Sequence, residues 1–539
     1  MHARTLTAAA LAVPLLGPLA ATSAHATAVV DGIQTLSTPG RTADDPYVGL
    51  ADDGTALATW TENGRLRWAL RGPGGQWGFA RPVPGAGTAD VVSFDEAADG
   101  TAVLAWTDLD KHRVMAAVRP AGGGFGSAVP LSGASTATES AVSVSAAPGG
   151  QAAVTWVWQD GATTRIRAAL HRPGNPGFAV TTLETTSSTG VHLGSPQVGI
   201  DSAGRALAVW DRTDISTNDS VRYAAAPGDS AFDAAQDLAP VEQGPATPRL
   251  SVSPTGAALI AYEYHVYTQL TVRTGDVTGA FGAAQAMLGD GQAAYAYQPA
   301  ISPDGSAALL ASINDHGSAL VAGALADATG QLGPLESISA HDRVTGPGLE
   351  DDDLELSPAG GGEFYAVWEN DHGDAGVNQA WSSTTAGGGF GTPTLRSPAG
   401  ADVGEVYGAA NADGDTITTW TTFTSSTVAQ ATPAVPDTLA PSLTGIRSGP
   451  SPFTAGTQTW RLHFVPSEDV RVTVTITRDG TKVATLARRE LVDAGTTSQL
   501  GWSGRRAGHL VPAGTYRWKL SAVDAGGNTT TEHGSLRAR

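Results

Sequence analysis

Apolar and polar residues alternate with period two along most of this chain, the spacing of half-buried β-strands rather than of helices. One form of the pattern recurs eight times: a turn with Gly, then small and apolar residues in alternation, then an aromatic. It reads Asp53-Gly54-Thr55-Ala56-Leu57-Ala58-Thr59-Trp60, then Asp99-Gly100 through Trp106, Gly149-Gly150 through Trp156 and Ala203-Gly204 through Trp210. It continues as Thr255-Gly256 through Tyr262, Asp304-Gly305 through Ser312 (where the aromatic is missing), Gly361-Gly362 through Trp368 and Asp413-Gly414 through Trp420. Successive endpoints lie 46 to 56 residues apart, and a sustained period of that length marks a repeat architecture.

Each repeat has a common interior. An alternating strand precedes the Gly turn (Gln197-Val198-Gly199-Ile200), and a polar loop and a further strand follow the aromatic (Ile166-Arg167-Ala168-Ala169-Leu170). A Gly-rich turn with Phe or Trp, such as Gly123-Gly124-Phe125-Gly126, then leads to a last short strand. Four short antiparallel strands per repeat make one blade of an all-β propeller. The count predicts eight blades and leaves seven open. The eighth repeat runs out after Thr427-Val428-Ala429-Gln430 without its fourth strand, while Asp31 to Leu36 resembles a fourth strand with no blade of its own. The two should join and close the ring, which removes open sheet edges.

Composition narrows the class. Of 539 residues, 67 are Gly, 32 are Pro and only 16% are charged, which excludes a coiled coil and a disordered polyelectrolyte. There is no Cys, so disulfides and thiolate chemistry are absent. Net charge is −20, with Lys111, Lys482 and Lys519 the three lysines, so nucleic acid and an anionic membrane are not expected partners of the bulk of the chain. Residues 1–26 read as a secretory signal peptide: Arg4, an apolar stretch from Leu6 to Ala21, then Ala24-His25-Ala26 as a small-x-small cleavage site. No later run is apolar enough to span a membrane, so the product is expected outside the cell or held to the envelope non-covalently.

The propeller is assigned to residues 27–432, a Pro-rich linker to 433–441 and a different domain to 442–539. This last part alternates strongly (Val470-Arg471-Val472-Thr473-Val474-Thr475-Ile476) and, from residue 436 on, holds 13 Lys plus Arg against 8 Asp plus Glu. Its surplus of five positive charges predicts docking on an anionic wall polymer.

Two resemblances follow. Ser302-Pro303-Asp304-Gly305 and Ser253-Pro254-Thr255-Gly256 resemble secreted bacterial propellers of the TolB-like and sialidase-like kind, although a sialidase Asp-box places its aromatic about three residues after the Gly and here the gap from Gly54 to Trp60 is six. Trp502-Ser503-Gly504, Gly508 to Tyr516 and Ala522-Val523-Asp524-Ala525-Gly526-Gly527-Asn528 resemble the immunoglobulin-like domain named after the flagellar hook-capping protein. The second resemblance implies a small β-sandwich used for display.

In a propeller the loops between strands two and three, and those between blades, gather on one face. The residues that the pattern sends there are Asp110 and His112, Asp211 and Asp214, Glu263 and His265, Asp315 and His316, and Glu369, Asp371 and His372. They predict an acidic, histidine-bearing face. Such residues serve turns, and equally they accept the hydroxyls of a glycan or meet a cell-surface protein, with Tyr264, Tyr267, Tyr295 or Tyr297 as ring platforms. Asp351, Asp352 and Asp353 make a candidate Ca²⁺ loop without a recognised calcium-loop spacing. The enzymatic alternative, a sialidase-like glycoside hydrolase or a lyase, needs two facing carboxylates, for which Glu263 and Glu369 are the test pair. Arg67, Arg113, Arg167 and Arg222 recur on third strands, which suits strand decoration better than a convergent Arg cluster. The expected function is an extracellular binding or adhesion protein, with the enzyme as the alternative.

Overall fold

Small side chains on both faces of each strand let neighbouring sheets stack closely, and the Gly turns reverse the chain between strands. In the computed structural model the described residues are 33–539, apart from 39, 74, 76, 134–135, 176, 215–218, 229–230, 242–246, 265–268, 316–317, 328, 340–353, 372–377, 387, 424–427, 432–439, 468–469, 493–494, 507 and 524–528. The predicted signal peptide therefore lies outside the described residues.

The third sheet shows the unit: Thr138–Ala147, Gln151–Asp160, Thr163–His171 and Phe178–Thr186 pair antiparallel in chain order. Among the described residues eight sheets of this plan follow one another up to residue 431 and are numbered here 1 to 8 along the chain, spanning 43–82, 89–130, 138–186, 191–241, 249–286, 292–337, 354–395 and 403–431. The eighth, Val403–Ala410, Thr416–Thr422 and Val428–Ala431, takes Gln34–Thr35 as its outer strand, with Gln34 opposite Ala431 and Thr35 opposite Gln430. Inner strands of all eight sheets line one central channel. The architecture is a β-propeller.

Cores lie between the sheets. Trp60 clusters with Tyr407 and Ile417 of sheet 8, Trp106 with Leu57 and Trp68 of sheet 1, Trp156 with Val103 and Val114 of sheet 2, and Trp210 with Ala153 and Ile166 of sheet 3. Trp368 and Trp420 likewise meet sheets 6 and 7. Each fully buried Trp removes on the order of 200 Å² from water, about 5 kcal/mol before ordering entropy is counted. The repeated aromatics are thus inter-sheet packing residues. Sheet 6 departs from the pattern read in the sequence. Ala307, Leu309, Ala311 and Ile313 face sheet 5, while Ala308 and Leu310 face sheet 7. The residue in aromatic register is therefore Ala311, six after Gly305, and Ser312 is the one that follows it.

Beyond residue 440 the chain forms two facing sheets. Leu443–Gly449, Trp460–Pro466 and Ser498–Trp502 make the first, and Thr481–Val492, Val470–Arg478, Gly514–Val523 and Thr529–Ala538 the second. Trp460, Phe464, Val472, Val474, Ile476, Trp518 and Leu520 fill the space between them.

Candidate functional site

The residue after the aromatic register occupies one equivalent place in every repeat: Thr61, Thr107, Val157, Asp211, Glu263, Ser312, Glu369 and Thr421. In sheets 2 and 8 its hydroxyl donates to an inner-strand carbonyl, Thr107 Oγ1 to Asp90 O and Thr421 Oγ1 to Gly404 O, each at 2.8 Å. In sheets 4, 5 and 7 the same place holds a carboxylate, which cannot donate that bond. Asp211, Glu263 and Glu369 are all buried. Glu369 accepts a hydrogen bond from Asn378 Nδ2, and Asp211 faces His192, with Oδ2 3.9 Å from Nδ1. The test pair Glu263 and Glu369 is separated by the whole of sheet 6, and neither residue lines either of the two cavities described below.

The other residues picked from the sequence are placed as follows. Asp110 and His112 are exposed turn residues, Asp110 N–H donating to Asp108 Oδ1 at 3.1 Å and Thr88 Oγ1 to Asp110 Oδ2 at 3.1 Å. Asp214 takes a hydrogen bond from Arg212 at 3.1 Å. Asp315 and Asp371 end second strands, opposite Gln292 and Asn378. His265, His316, His372 and Asp351, Asp352 and Asp353 lie outside the described residues. Among the described residues no group of three or more His, Asp or Glu gathers closely enough to hold a metal ion. Tyr297 is buried and donates its hydroxyl to Thr247 O in the approach to sheet 5, so its ring offers no platform. The four arginines do not converge: Arg67 lies 3.2 Å from Glu62, Arg113 3.6 Å from Asp108, Arg222 2.9 Å from Asp237, and Arg167 stacks on Trp156.

The central channel holds about 900 Å³. Carboxylates Asp45, Asp52, Asp95, Glu96, Asp304 and Glu355 line it with Arg249. Its wall is tied from sheet to sheet by one repeated bond, from the N–H four residues before one turn glycine to the side chain five residues before the turn glycine of the preceding sheet. Ala146 N–H donates to Asp95 Oδ2 (2.8 Å), Ile200 N–H to Ser145 Oγ (3.3 Å), Ile301 N–H to Ser251 Oγ (3.1 Å) and Ala410 N–H to Ser357 Oγ (3.1 Å). Burial raises the Asp95 carboxyl above its ordinary value. It pushes Glu96 up to about 8, against the pull of Arg119 at 3.2 Å. Nine residues before the turn glycine the inner strands break at left-handed residues: Asp45 (φ 53°), Val91 (46°), Ala141 (49°), Ser195 (44°) and Glu405 (52°). A non-glycine φ of this sign is strained and persists only where surrounding structure holds it.

A second pocket, about 260 Å³, opens between sheets 3 and 4. Ser140, Gln159, Thr164, His192, Ser195, Asp211 and Thr247 supply its polar lining. Asp211 is 4% exposed, and its buried Oδ1 has no hydrogen-bond partner among the described residues. The adjoining Asp211 carboxylate holds the His192 ring above its ordinary pKa. Gly194 makes this approach possible, because a Cβ there would stand 2.9 Å from His192 Cε1 and 3.1 Å from Asp211 Oδ1. Of this set only Asp211 was legible in the sequence. His192 and Ser195 sit on an inner strand with no motif, and the one available signal was the carboxylate standing where other repeats carry Thr.

No protein-family model matches the chain. No curated protein matches it either. Solved structures similar to it include a prolyl endopeptidase (12% identity, TM-score 0.40, 74% of this chain and 54% of the other). A catalytically inactive virginiamycin B lyase from Staphylococcus aureus with quinupristin is similar at 10% identity and TM-score 0.34, over 74% of this chain and 98% of the other. An α-L-arabinanase of Penicillium chrysogenum complexed with arabinobiose shares 10% identity at TM-score 0.34, over 55% and 93%. All three are loose likenesses, and the propeller assignment rests on the ring of sheets itself.

Proposed function

We propose that this chain is an exported eight-bladed propeller followed by an immunoglobulin-like β-sandwich, and that it holds a glycan at the pocket between sheets 3 and 4. The observation that carries the reading is Asp211, a buried carboxylate in the wall of a pocket lined with hydroxyl and amide groups, whose Oδ1 has no hydrogen-bond partner among the described residues. Leaving such an acceptor unpaired costs about 1–3 kcal/mol or more, and a sugar hydroxyl supplies the missing donor. The pocket is smaller than the roughly 300–1,000 Å³ of drug-sized sites, which suits one ring or one end of a polymer. The apolar N-terminal stretch with its small-x-small end supports export.

A second reading is favoured by His192. The Asp211 carboxylate beside the same pocket raises its pKa, which favours the protonated ring, the form a general acid needs to protonate a leaving oxygen as water displaces it, so that a carbohydrate is cleaved and not only held. Both readings are tested by incubating the protein with a panel of neutral and acidic polysaccharides and weighing retained and released material. Retention of intact polymer that weakens about tenfold or more in Asp211→Asn supports binding. Shorter products that vanish in His192→Gln, with retention kept, establish the enzyme. Products lost in Glu263→Gln or Glu369→Gln instead would move the chemistry to that pair, and retention indifferent to Asp211→Asn would overturn the pocket.

A further inference from the structure

On the C-terminal four-stranded sheet, Val470, Val472, Val474 and Ile476 are buried against the facing sheet, so the residues between them point to the opposite face. The strand register then arranges that outer face in rows. Lys482, Thr477, Arg517 and Ser535 stand opposite one another across the four strands. Thr485, Thr475, Lys519 and His533 form the next row, and Arg488, Thr473, Ser521 and Thr531 the one after. Every place in these rows is a cation, a histidine or a hydroxyl.

Carboxylates are kept off the face. Glu490 and Glu532 stand opposite Val472 and Leu520, in the register of the inner side, and Asp479 sits in the turn beyond the first row, 3.7 Å from Arg478. Lys482, Arg488, Arg517 and Lys519 are exposed, while Arg471, in the row past Arg488, stacks on Phe79 of sheet 1. Arg517 and Lys519 lie two residues apart on one strand, roughly 7 Å, with Thr477 and Ser535 opposite the first, Thr475 and His533 opposite the second, and no counter-ion in either place. Like charges set this way repel, and an anionic partner relieves the repulsion. The hydroxyls beside each cation add donors for further oxygens of the same anionic group.

We propose that this face docks a linear polymer of phosphodiester-linked polyol. The anionic repeat is called for by the uncompensated cations. A polymer without bases is called for because Trp460, Trp502, Tyr516 and Trp518 are all buried, which leaves the face no aromatic platform of the kind that single-stranded nucleic acids stack on.

The test measures binding of the full-length protein to immobilised poly(glycerol phosphate), polygalacturonate and duplex DNA over a salt series. Poly(glycerol phosphate) is expected to bind most tightly and to weaken with salt. The double variant Arg517→Ser/Lys519→Ser should bind at least about tenfold more weakly, with the log–log salt slope reduced by roughly 1.5. Arg447→Ser/Arg461→Ser removes the same charge from the other sheet and should leave both quantities nearly unchanged. Equal losses in the two double variants, tighter binding of polygalacturonate or DNA, or no binding at low salt would each overturn the proposal. Because the readout does not involve Asp211, its failure and that of the glycan pocket are distinguishable.

Discussion

The side chain of Gln34 clasps the backbone of Trp77 in sheet 1: Trp77 N–H donates to Gln34 Oε1 at 2.9 Å, and Gln34 Nε2 donates to Trp77 O at 3.2 Å. Gln285, on the outer strand of sheet 5, makes the same pair of bonds with Leu332 of sheet 6. The seam between sheets 8 and 1, where the two ends of the propeller meet, is thus built like an internal one. Two partly buried bonds are worth about 1–2 kcal/mol together. Gln34→Ala and Gln285→Ala should therefore lower the denaturant midpoint by similar amounts, and starting the chain at residue 38 should lower it further. A midpoint unmoved by that truncation would mean the ring closes without this strand.

Val91 is a β-branched residue at φ 46° and is 40% exposed. The left-handed region costs a side-chain-bearing residue about 1–2 kcal/mol, part of which Gly recovers against its own greater entropy loss. Since little packing is lost, Val91→Gly should stabilise the protein by about 0.5–1 kcal/mol in urea unfolding, with Val91→Ala closer to neutral. Destabilisation by Val91→Gly would show that contacts of the Val side chain outweigh the backbone strain.

Repeats, strand order and ring closure were legible because each rests on local spacing: a turn glycine, six residues, an aromatic. In sheet 6 the spacing holds but the aromatic does not: Ala311 stands six after Gly305, and with small residues in place of the missing Trp the pattern was read one residue late, at Ser312. The candidate pocket was mostly illegible for a different reason. His192, Gly194 and Asp211 come together through pairing across sheet 4, in which Gly194 stands opposite Asp211, and Ser140 and Gln159 arrive from sheet 3. The basic face was half legible: the alternation of Val470 to Ile476 predicts two faces, but Lys482, Arg488 and Lys519 share one of them only through the register of two pairings.

Gly360 tests the seam between sheets 7 and 8. A Cβ there would run into the backbone carbonyl of Ala412, and a backbone atom cannot swing aside. Gly360→Ala should cost about 3 kcal/mol or more. Gly361, at φ 72° with open space around its Cβ, should cost only the roughly 1–2 kcal/mol of the left-handed region when changed to Ala. Gly389→Ala, with space and without positive φ, should be near neutral. If the order of the three midpoints were reversed, the close approach of the two turns would be wrong.

Glu96 makes the channel wall sensitive to pH. Its side chain is fully buried and paired with Arg119 at 3.2 Å, yet burial pushes its pKa from 4.5 up to about 8. The sign follows from proton counting. Between these two values the folded protein keeps a proton that the unfolded chain has released, so stability falls as pH rises through the window. Below about pH 4.5 both states are protonated, and above about 8 the full cost of a buried charge is present. Glu96→Gln removes that titration while leaving an acceptor for Arg119. The variant should lose less stability than the parent between about pH 4.5 and 8 and should become the more stable of the two near pH 9. Asp95 and Glu139, also raised by burial, slope both proteins in the same direction, so the difference between the two curves reports Glu96 together with its coupling to the neighbouring Asp95 charge. Urea midpoints that run parallel across this range would show that Arg119 keeps the carboxylate ionised throughout.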